Sequence, residues 1–174
     1  RSRQGDRIAA AGNDLSAQIG PRTRRLDLKG ATVLPGLIDA HAHMRGLGGL
    51  LESRDLRFTP TIAEVAAYVA ELAAAKPKGE WVTARNWDQT NWGGSLPAAS
   101  DLDKAAPEHP AYLTRVDGHA AWTNSAALRL AGVTSKTQDP PGGKIIRDAQ
   151  GNPTGVLIDR AMGLVRSKLP PATY

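Results

Sequence analysis

Cysteine is absent from this 174-residue sequence, which excludes disulfides, thiolate metal sites and cysteine nucleophiles. Aromatic residues make up only 5%, so the core must consist mainly of aliphatic side chains. No apolar run approaches the ~18–20 residues of a membrane-spanning helix, and we expect no membrane contact. The sequence also lacks a serine nucleophile elbow, a phosphate-binding loop and a dinucleotide-binding fingerprint. Three common classes of enzyme site are therefore not indicated.

The length and composition indicate a globular chain. Hydrophobic residues make up 41% and charged residues 22%, which is typical of a folded domain. The chain is shorter than the ~200 residues that a complete (β/α)8 barrel needs. It carries 22 basic and 17 acidic residues, but the basic ones crowd the first 25 positions or are scattered among acids. We expect no nucleic-acid partner, because binding of that kind needs a clustered basic surface.

The succession of predicted elements indicates an α/β fold. Residues 32–40 are apolar at nearly every position, which is typical of a strand buried on both faces of a parallel sheet. Residues 61–76 carry apolar side chains at helical spacing behind a Thr61–Glu64 capping box, which predicts a helix. The remaining predicted strands lie at 7–11, 25–29, 81–85 and 111–116, and 144–147 pairs with 155–159 in a predicted hairpin. Two further helices are predicted: a short one capped by Ser125 that stops near Gly132, and one at 160–168.

The His41-Ala-His43 pair directly follows the apolar strand. Residues i and i+2 of a strand project from the same face, so the two imidazoles can converge on one divalent ion. Asp39 lies on that face as well and can orient one imidazole. A His-x-His pair can also be purely structural, but its position at the end of a buried strand, where barrel enzymes have their active sites, favours a metal site.

A second polar segment follows the strand predicted at 111–116. Asp117 and His119 are candidates for a proton-handling pair or for contacts to a polar substrate, with Asn124 close behind them in the sequence. The alternative is that Asp117 and Gly118 form a turn and that His119 bonds only to backbone. Both interpretations stay open on the sequence alone.

Trp87 allows a functional and a structural interpretation, whereas His109 allows only a structural one. Trp87 stands in a segment that joins indoles to amides, and it either lines a substrate pocket or covers a core that is poor in aromatic residues. His109 stands in a polar stretch and is predicted to lie on the surface. The sequence does not decide between the two interpretations of Trp87.

Several stretches together resemble the amidohydrolase superfamily. Residues 33–43 resemble its first-strand metal motif. The Asp-Gly-His-Ala-Ala-Trp-Thr-Asn-Ser stretch at 117–125 resembles the amidohydrolase family 3 branch, which includes enzymes like N-substituted formamide deformylase. The resemblance spans nearly the whole chain, and its other stretches are residues 81–88, 101–104, 142–148 and 151–157.

The resemblance implies a metal-dependent-hydrolase (β/α)8 barrel with a small flanking β-sandwich. It places residues 1–32 in the sandwich, 33–43 in the first barrel strand and 44–174 in an α/β insertion, so the barrel in this chain would be incomplete. It makes His41 and His43 ligands of a divalent metal, with zinc as the expected ion. Such a metal activates a water molecule for attack on a small-molecule amide-type substrate.

The remaining ligands and the general base of such enzymes lie on later barrel strands, so no catalytic residue is assigned here. We therefore expect these residues to belong to a longer hydrolase of C–N bonds and to be inactive alone. We also expect another chain or a second copy to cover the exposed barrel strand. The alternative is a non-catalytic α/β interaction module whose histidine pair is a remnant. The localisation stays open between cytoplasm and periplasm.

Overall fold

A computed structural model describes residues 2–34, 36, 38, 48 and 53–171. The chain divides into two compact units, Arg1–Ala42 and His43–Tyr174. In the first unit, β1 (Ser2–Gln4) and β2 (Arg7–Ala10) form an antiparallel hairpin. The predicted strand at 7–11 is therefore confirmed.

The strand predicted at 25–29 is wrong. These residues have no regular structure and lead into a turn at Lys29 and Gly30. The carboxylate of Asp27 accepts a hydrogen bond from the backbone N–H of Lys29 at 2.8 Å, a local bond that favours a turn over a strand. Of the strand predicted at 32–40, the described residues 32–34 have no regular structure, and most of the rest lies outside the described residues.

The second unit is a mixed α/β structure around a six-stranded sheet. Its strands are β3 (Arg54–Asp55), β4 (Val82–Trp87), β5 (Ala111–Arg115), β6 (Ala120–Thr123), β7 (Gly143–Arg147) and β8 (Pro153–Asp159). Its described helices are α1 (Ile62–Ala74), α2 (Ala99–Asp103), α3 (Ser125–Ala131) and α4 (Met162–Arg166), and a 3-10 turn spans Gln89–Trp92. The predicted α/β class is confirmed at this level.

The strand order is β3-β4-β5-β6-β8-β7. The first three strands are parallel, and β6 is antiparallel to both of its neighbours, β5 and β8. The strands β7 and β8 form the predicted hairpin. Because β8 runs in the same direction as β3, β4 and β5, these four strands end at the same edge of the sheet. We call this edge the carboxyl edge.

The helix α1 begins and ends close to the predicted positions. Thr61 is its N-cap, and its hydroxyl oxygen accepts a hydrogen bond from the backbone N–H of Glu64 at 3.1 Å. The apolar face buries Val65, Val69 and Ala73 against the sheet. The helix was readable from the sequence because both its cap and its apolar stripe are local signals.

The predicted start of α3 is off by one residue. Asn124, not Ser125, is the N-cap, and its side-chain oxygen accepts from the backbone N–H of Ala127 at 3.0 Å. Ser125 is instead bonded to Asp103, whose carboxylate accepts from both its hydroxyl and its backbone N–H at 2.8 Å. The helix ends at Gly132 in the left-handed conformation, as predicted.

The two faces of the sheet each bury an apolar cluster. One cluster contains Trp87 and Trp122, whose ring centroids lie 6.1 Å apart, with Trp92 packed against both. His109 also lies inside, with 6% of its surface exposed, and the predicted surface position is therefore wrong. Its Nδ1 lies 3.0 Å from the carbonyl oxygen of Glu80, so a backbone acceptor satisfies the buried ring.

Two glycines allow the closest backbone approaches in the second unit. A Cβ at Gly155 in β8 would lie 2.6 Å from the carbonyl oxygen of Thr123 and 2.8 Å from the backbone nitrogen of Ala99. A Cβ at Gly143 would lie 2.3 Å from the backbone nitrogen of Ala161. Both positions therefore require glycine for close packing.

Candidate functional site

Five polar residues lie where strands end or begin at the carboxyl edge. They are Asp88 after β4, Arg115 at the end of β5, Asp117 and His119 in the turn to β6, and Asp159 at the end of β8. We call them the carboxyl-edge cluster. Ligands of α/β sheets bind preferentially outside the carboxyl ends of the strands, so this cluster is the candidate functional site in the described part of the chain.

Arg115 and Asp117 form a bidentate pair. The Arg115 Nε and Nη2 atoms donate to the two carboxylate oxygens of Asp117 at 2.9 and 2.7 Å. The hydrogen bond from Arg115 holds the pKa of Asp117 below its usual value, and the backbone N–H of His119 adds to this effect. The same bond raises the pKa of Arg115, which is also raised by the charges of Asp88 and Asp159. These groups are therefore close enough to interact electrostatically.

His119 pairs with Asp159 and not, through its side chain, with Asp117. Its Nδ1 lies 2.7 Å from Oδ1 of Asp159. A second bond joins the same two residues, because the backbone N–H of Asp159 donates to the carbonyl of His119 at 2.9 Å. The imidazole is 70% exposed, and its Nε2 has no hydrogen-bond partner among the described residues. The exposed nitrogen is thus available to a ligand.

Two non-glycine residues at this edge have left-handed backbone conformations. Asp159 has a φ of 47° and Asn86 a φ of 67°. Asn86 lies at a register shift between β4 and β5, and its side chain donates to Asp55 at 3.0 Å. Asn and Asp adopt this conformation more readily than other non-glycine residues.

The structure gives the other two predicted substrate-binding residues roles inside the fold. Trp87 is fully buried, and its indole N–H donates to the carbonyl of Leu113 at 2.9 Å. Asn124 is also fully buried. Its amide oxygen accepts from two backbone N–H groups, and its amide nitrogen donates to two backbone carbonyls. Direct substrate contacts by Trp87 and Asn124 stay predictions that this geometry does not support.

The predicted metal residues Asp39, His41 and His43 lie outside the described residues. In the part of the chain that the structure describes, no group of three or more His, Asp or Glu side chains could hold a metal ion. Among those same residues, no helix is long and apolar enough to cross a membrane.

Two members of the cluster were missed by sequence reasoning. Asp159 lies 40 residues from its partner His119, and no local pattern links them. Asp88 follows the strand predicted at 81–85, and no local pattern links it to Arg115. The available signal was topological, because both residues stand at the carboxyl end of a predicted strand.

The family model described as the amidohydrolase family matches residues 24–173. The chain belongs to the amidohydrolase family. The match includes the His41-Ala-His43 pair and every residue of the carboxyl-edge cluster. The resemblance seen in the sequence is thus confirmed.

Curated relatives of this amidohydrolase chain are much longer than it is. N-substituted formamide deformylase from Arthrobacter pascens is 36% identical over 168 residues, which cover 94% of this chain and 31% of that protein. Protein LONG AFTER FAR-RED 3 from Arabidopsis thaliana is 42% identical over 151 residues, which cover 87% of this chain and 26% of that protein. The chain therefore spans less than a third of the length of these two relatives.

Solved structures similar to this amidohydrolase chain are described as metal-dependent hydrolases. One from Pyrococcus furiosus is 28% identical with a TM-score of 0.51, covering 76% of this chain and 24% of that one. Another from Pyrococcus horikoshii is 25% identical with the same TM-score of 0.51, covering 74% of this chain and 23% of that one.

Proposed function

We propose that this chain is part of a metal-dependent hydrolase that cleaves C–N bonds other than peptide bonds in a small-molecule substrate. The observation that carries the proposal is the amidohydrolase family match over residues 24–173. The relative whose name states a reaction, N-substituted formamide deformylase, suggests N-substituted formamides as the first substrates to test.

The proposed metal ligands are His41 and His43, with Asp39 orienting one of the imidazoles. Two imidazole nitrogens suit zinc, which is bound in catalytic sites by three protein ligands and a water. A bound divalent metal supplies hydroxide near neutral pH by lowering the pKa of that water. Because a histidine pair provides only two ligands, we propose that further ligands come from outside this chain.

The proposed architecture follows the family. Residues 1–32 would belong to a small β-sandwich, 33–43 to the first strand of a (β/α)8 barrel and 44–174 to an α/β insertion. The division of the chain into units at residues 42 and 43 is compatible with this arrangement. In the insertion, β3 is an edge strand and the neighbouring Phe58 is 86% exposed. We propose that another chain or a second copy covers apolar surface of this kind.

The decisive experiment is elemental analysis of a longer amidohydrolase that contains this chain, purified without added metal, because the further ligands are proposed to lie outside the chain. We expect zinc in the wild type and its loss in the His41→Ala, His43→Ala double variant. The matched control is His119→Ala, which removes an exposed imidazole outside the pair and should leave the metal content unchanged. Equal metal content in the double variant and the wild type would refute the ligand assignment.

A hydrolase assay separates the enzyme from the alternative, a non-catalytic interaction module. Release of formate from N-benzylformamide is measured for the chain alone and for a longer amidohydrolase that contains it. We expect turnover only in the longer protein, since His41 and His43 provide two of the three protein ligands that a catalytic zinc takes. Absence of turnover in both, together with a stable complex with a partner chain, would favour the interaction module.

A further inference from the structure

Asp159 has no role in the proposed reaction so far, yet its geometry is unusual. It is the last residue of β8, it has a left-handed φ of 47°, and both its backbone and its side chain bond to His119. Asp159 thus has a backbone conformation that most residues avoid, and its carboxylate is bonded to the imidazole of His119.

The carboxylate of Asp159 determines which nitrogen of His119 carries the proton in the neutral ring. A carboxylate only accepts hydrogen bonds, so Nδ1 at 2.7 Å must be the donor. The second nitrogen, Nε2, is then left with a lone pair. A free neutral imidazole prefers the opposite tautomer, in which Nε2 carries the proton. Asp159 therefore turns Nε2 from a hydrogen-bond donor into an acceptor.

The surroundings of His119 favour a ligand that donates a hydrogen bond. Besides Asp159, the charged groups beside His119 are Asp117, whose carboxylate accepts from the His119 backbone N–H, and the guanidinium of Arg115, which pairs with Asp117. Arg115 is engaged in its bidentate pair with Asp117. An N–H group gains a hydrogen bond from the Nε2 lone pair, whereas a carbonyl oxygen, which only accepts, does not.

We propose that His119 binds the substrate through Nε2, which accepts a hydrogen bond from the N–H of a secondary amide, and that Asp159 is the positioning residue for this contact. The proposal rests on the proposed function, because it takes the amide as the substrate class. It predicts selectivity for amides of the form R–CO–NH–R′ over tertiary amides, which have no N–H. Asp117 acts indirectly, by fixing the turn through its bonds to Arg115 and to the backbone of His119.

The test is 15N NMR of the four histidine side chains in the complete 174-residue chain, at a pH where the imidazoles are neutral. We expect His119 to be protonated at Nδ1 and unprotonated at Nε2. N-benzylformamide should shift the Nε2 resonance in a saturable manner, and N-benzyl-N-methylformamide should leave it unchanged. His109 is an internal control, because its imidazole is buried.

The matched variant is Asp159→Gly, which removes the carboxylate and fits the left-handed backbone. It should return His119 to the Nε2-protonated tautomer and weaken binding of N-benzylformamide at least tenfold. Asp159→Ala also removes the carboxylate and should cause the same two changes, which guards against a folding defect confined to the glycine variant. Glu71→Gln removes one exposed carboxylate elsewhere. It should change neither the tautomer of His119 nor the binding of N-benzylformamide.

Three results would overturn the proposal. They are an Nε2-protonated His119 in the wild type, equal shifts with both formamides, and undiminished binding in both Asp159 variants. None of these three measurements requires turnover or a bound metal. Failure of the proposed hydrolytic function would instead appear as absent formate release, so the two failures are distinguishable.

Discussion

The side-chain amide of Asn124 donates a hydrogen bond to the carbonyl of His109 at 2.8 Å, and both residues are buried. The same amide nitrogen donates to Ala106, and the amide oxygen accepts from the backbone N–H groups of Ala111 and Ala127. One side chain therefore ties the loop before β5 to the start of α3. Asn124 satisfies backbone groups that would otherwise be buried without partners.

Replacing Asn124 should destabilise the fold. Asn124→Ala leaves several buried backbone groups unpaired, and we expect a loss of about 3 kcal/mol or more in the free energy of unfolding. Asn124→Asp keeps an acceptor but brings a carboxylate oxygen against two carbonyl oxygens, so it should be destabilising too. Urea denaturation measures both. An Asp variant as stable as the wild type would contradict the structural role.

Gly155→Ala should be among the most damaging small substitutions. The new Cβ would collide with the backbone of Thr123 and Ala99, and the φ of 106° excludes most side chains. We expect a loss above about 3 kcal/mol, or no folded protein. The control is Gly163→Ala in α4, where nothing lies within 4 Å and alanine favours the helix by up to about 1 kcal/mol. Thermal unfolding of both variants tests the prediction, and equal effects would contradict it.

Tyr112 predicts an alkaline limit to stability. Burial raises the pKa of Tyr112 to about 12, and its hydroxyl has no partner among the described residues. The native pKa lies above the ordinary value of 10.0, so the folded state favours the neutral hydroxyl more strongly than the unfolded state does. The resulting stabilisation is present below pH 10 and is lost as the pH rises toward 12.

Tyr112→Phe should therefore leave stability at neutral pH unchanged or raise it by up to about 1 kcal/mol. It should also flatten the loss of stability between about pH 10 and pH 12 relative to the wild type. Tyr68→Phe, on α1, is the control for the same chemical change at a less buried position. A steeper alkaline loss in the Tyr112 variant would count against the assignment.

The Arg115–Asp117 pair predicts an acid-dependent contribution to stability. The hydrogen bond from Arg115 lowers the pKa of Asp117 below 3.8, so the pair stabilises the fold above that pH. The contribution is lost as the pH falls from 3.8 through the lower native value. Its size should not exceed about 1 kcal/mol, because Asp117 is 43% exposed.

Asp117→Asn isolates this contribution. The difference in unfolding free energy between wild type and variant should be present at pH 7 and should shrink at a pH well below 3.8. Urea titrations at the two pH values measure it, with Glu71→Gln as the control for the loss of an exposed carboxylate. A difference that does not change with pH would show that Asp117 acts through something other than its charge.

Much of the fold was predictable because its signals are local. The cap at Thr61 and the apolar stripe of α1 lie within one segment, and the hairpin of β7 and β8 is encoded by two strands and the turn between them. The stretch 117–125 likewise indicated the amidohydrolase family, which the match over residues 24–173 shows. Local hydrogen bonds and periodicity need no knowledge of the rest of the chain.

The candidate site was predictable only in part. His119 and Asp117 were identified as polar residues after a strand, but which groups they bond to was not. Asp159 was missed, since it reaches His119 only when β8 pairs with β6. The metal residues His41 and His43 stay predictions of the sequence, as they lie outside the described residues.

By itself the sequence determined the α/β class, the helix α1, the hairpin of β7 and β8, and the family. Only the tertiary structure decided that His109 is buried, that Asn124 rather than Ser125 caps α3, and that Asp159 orients His119. The physical reason is separation along the chain. Burial and pairing across 15 to 40 residues depend on the order of strands in the sheet, and no local pattern of side chains encodes that order.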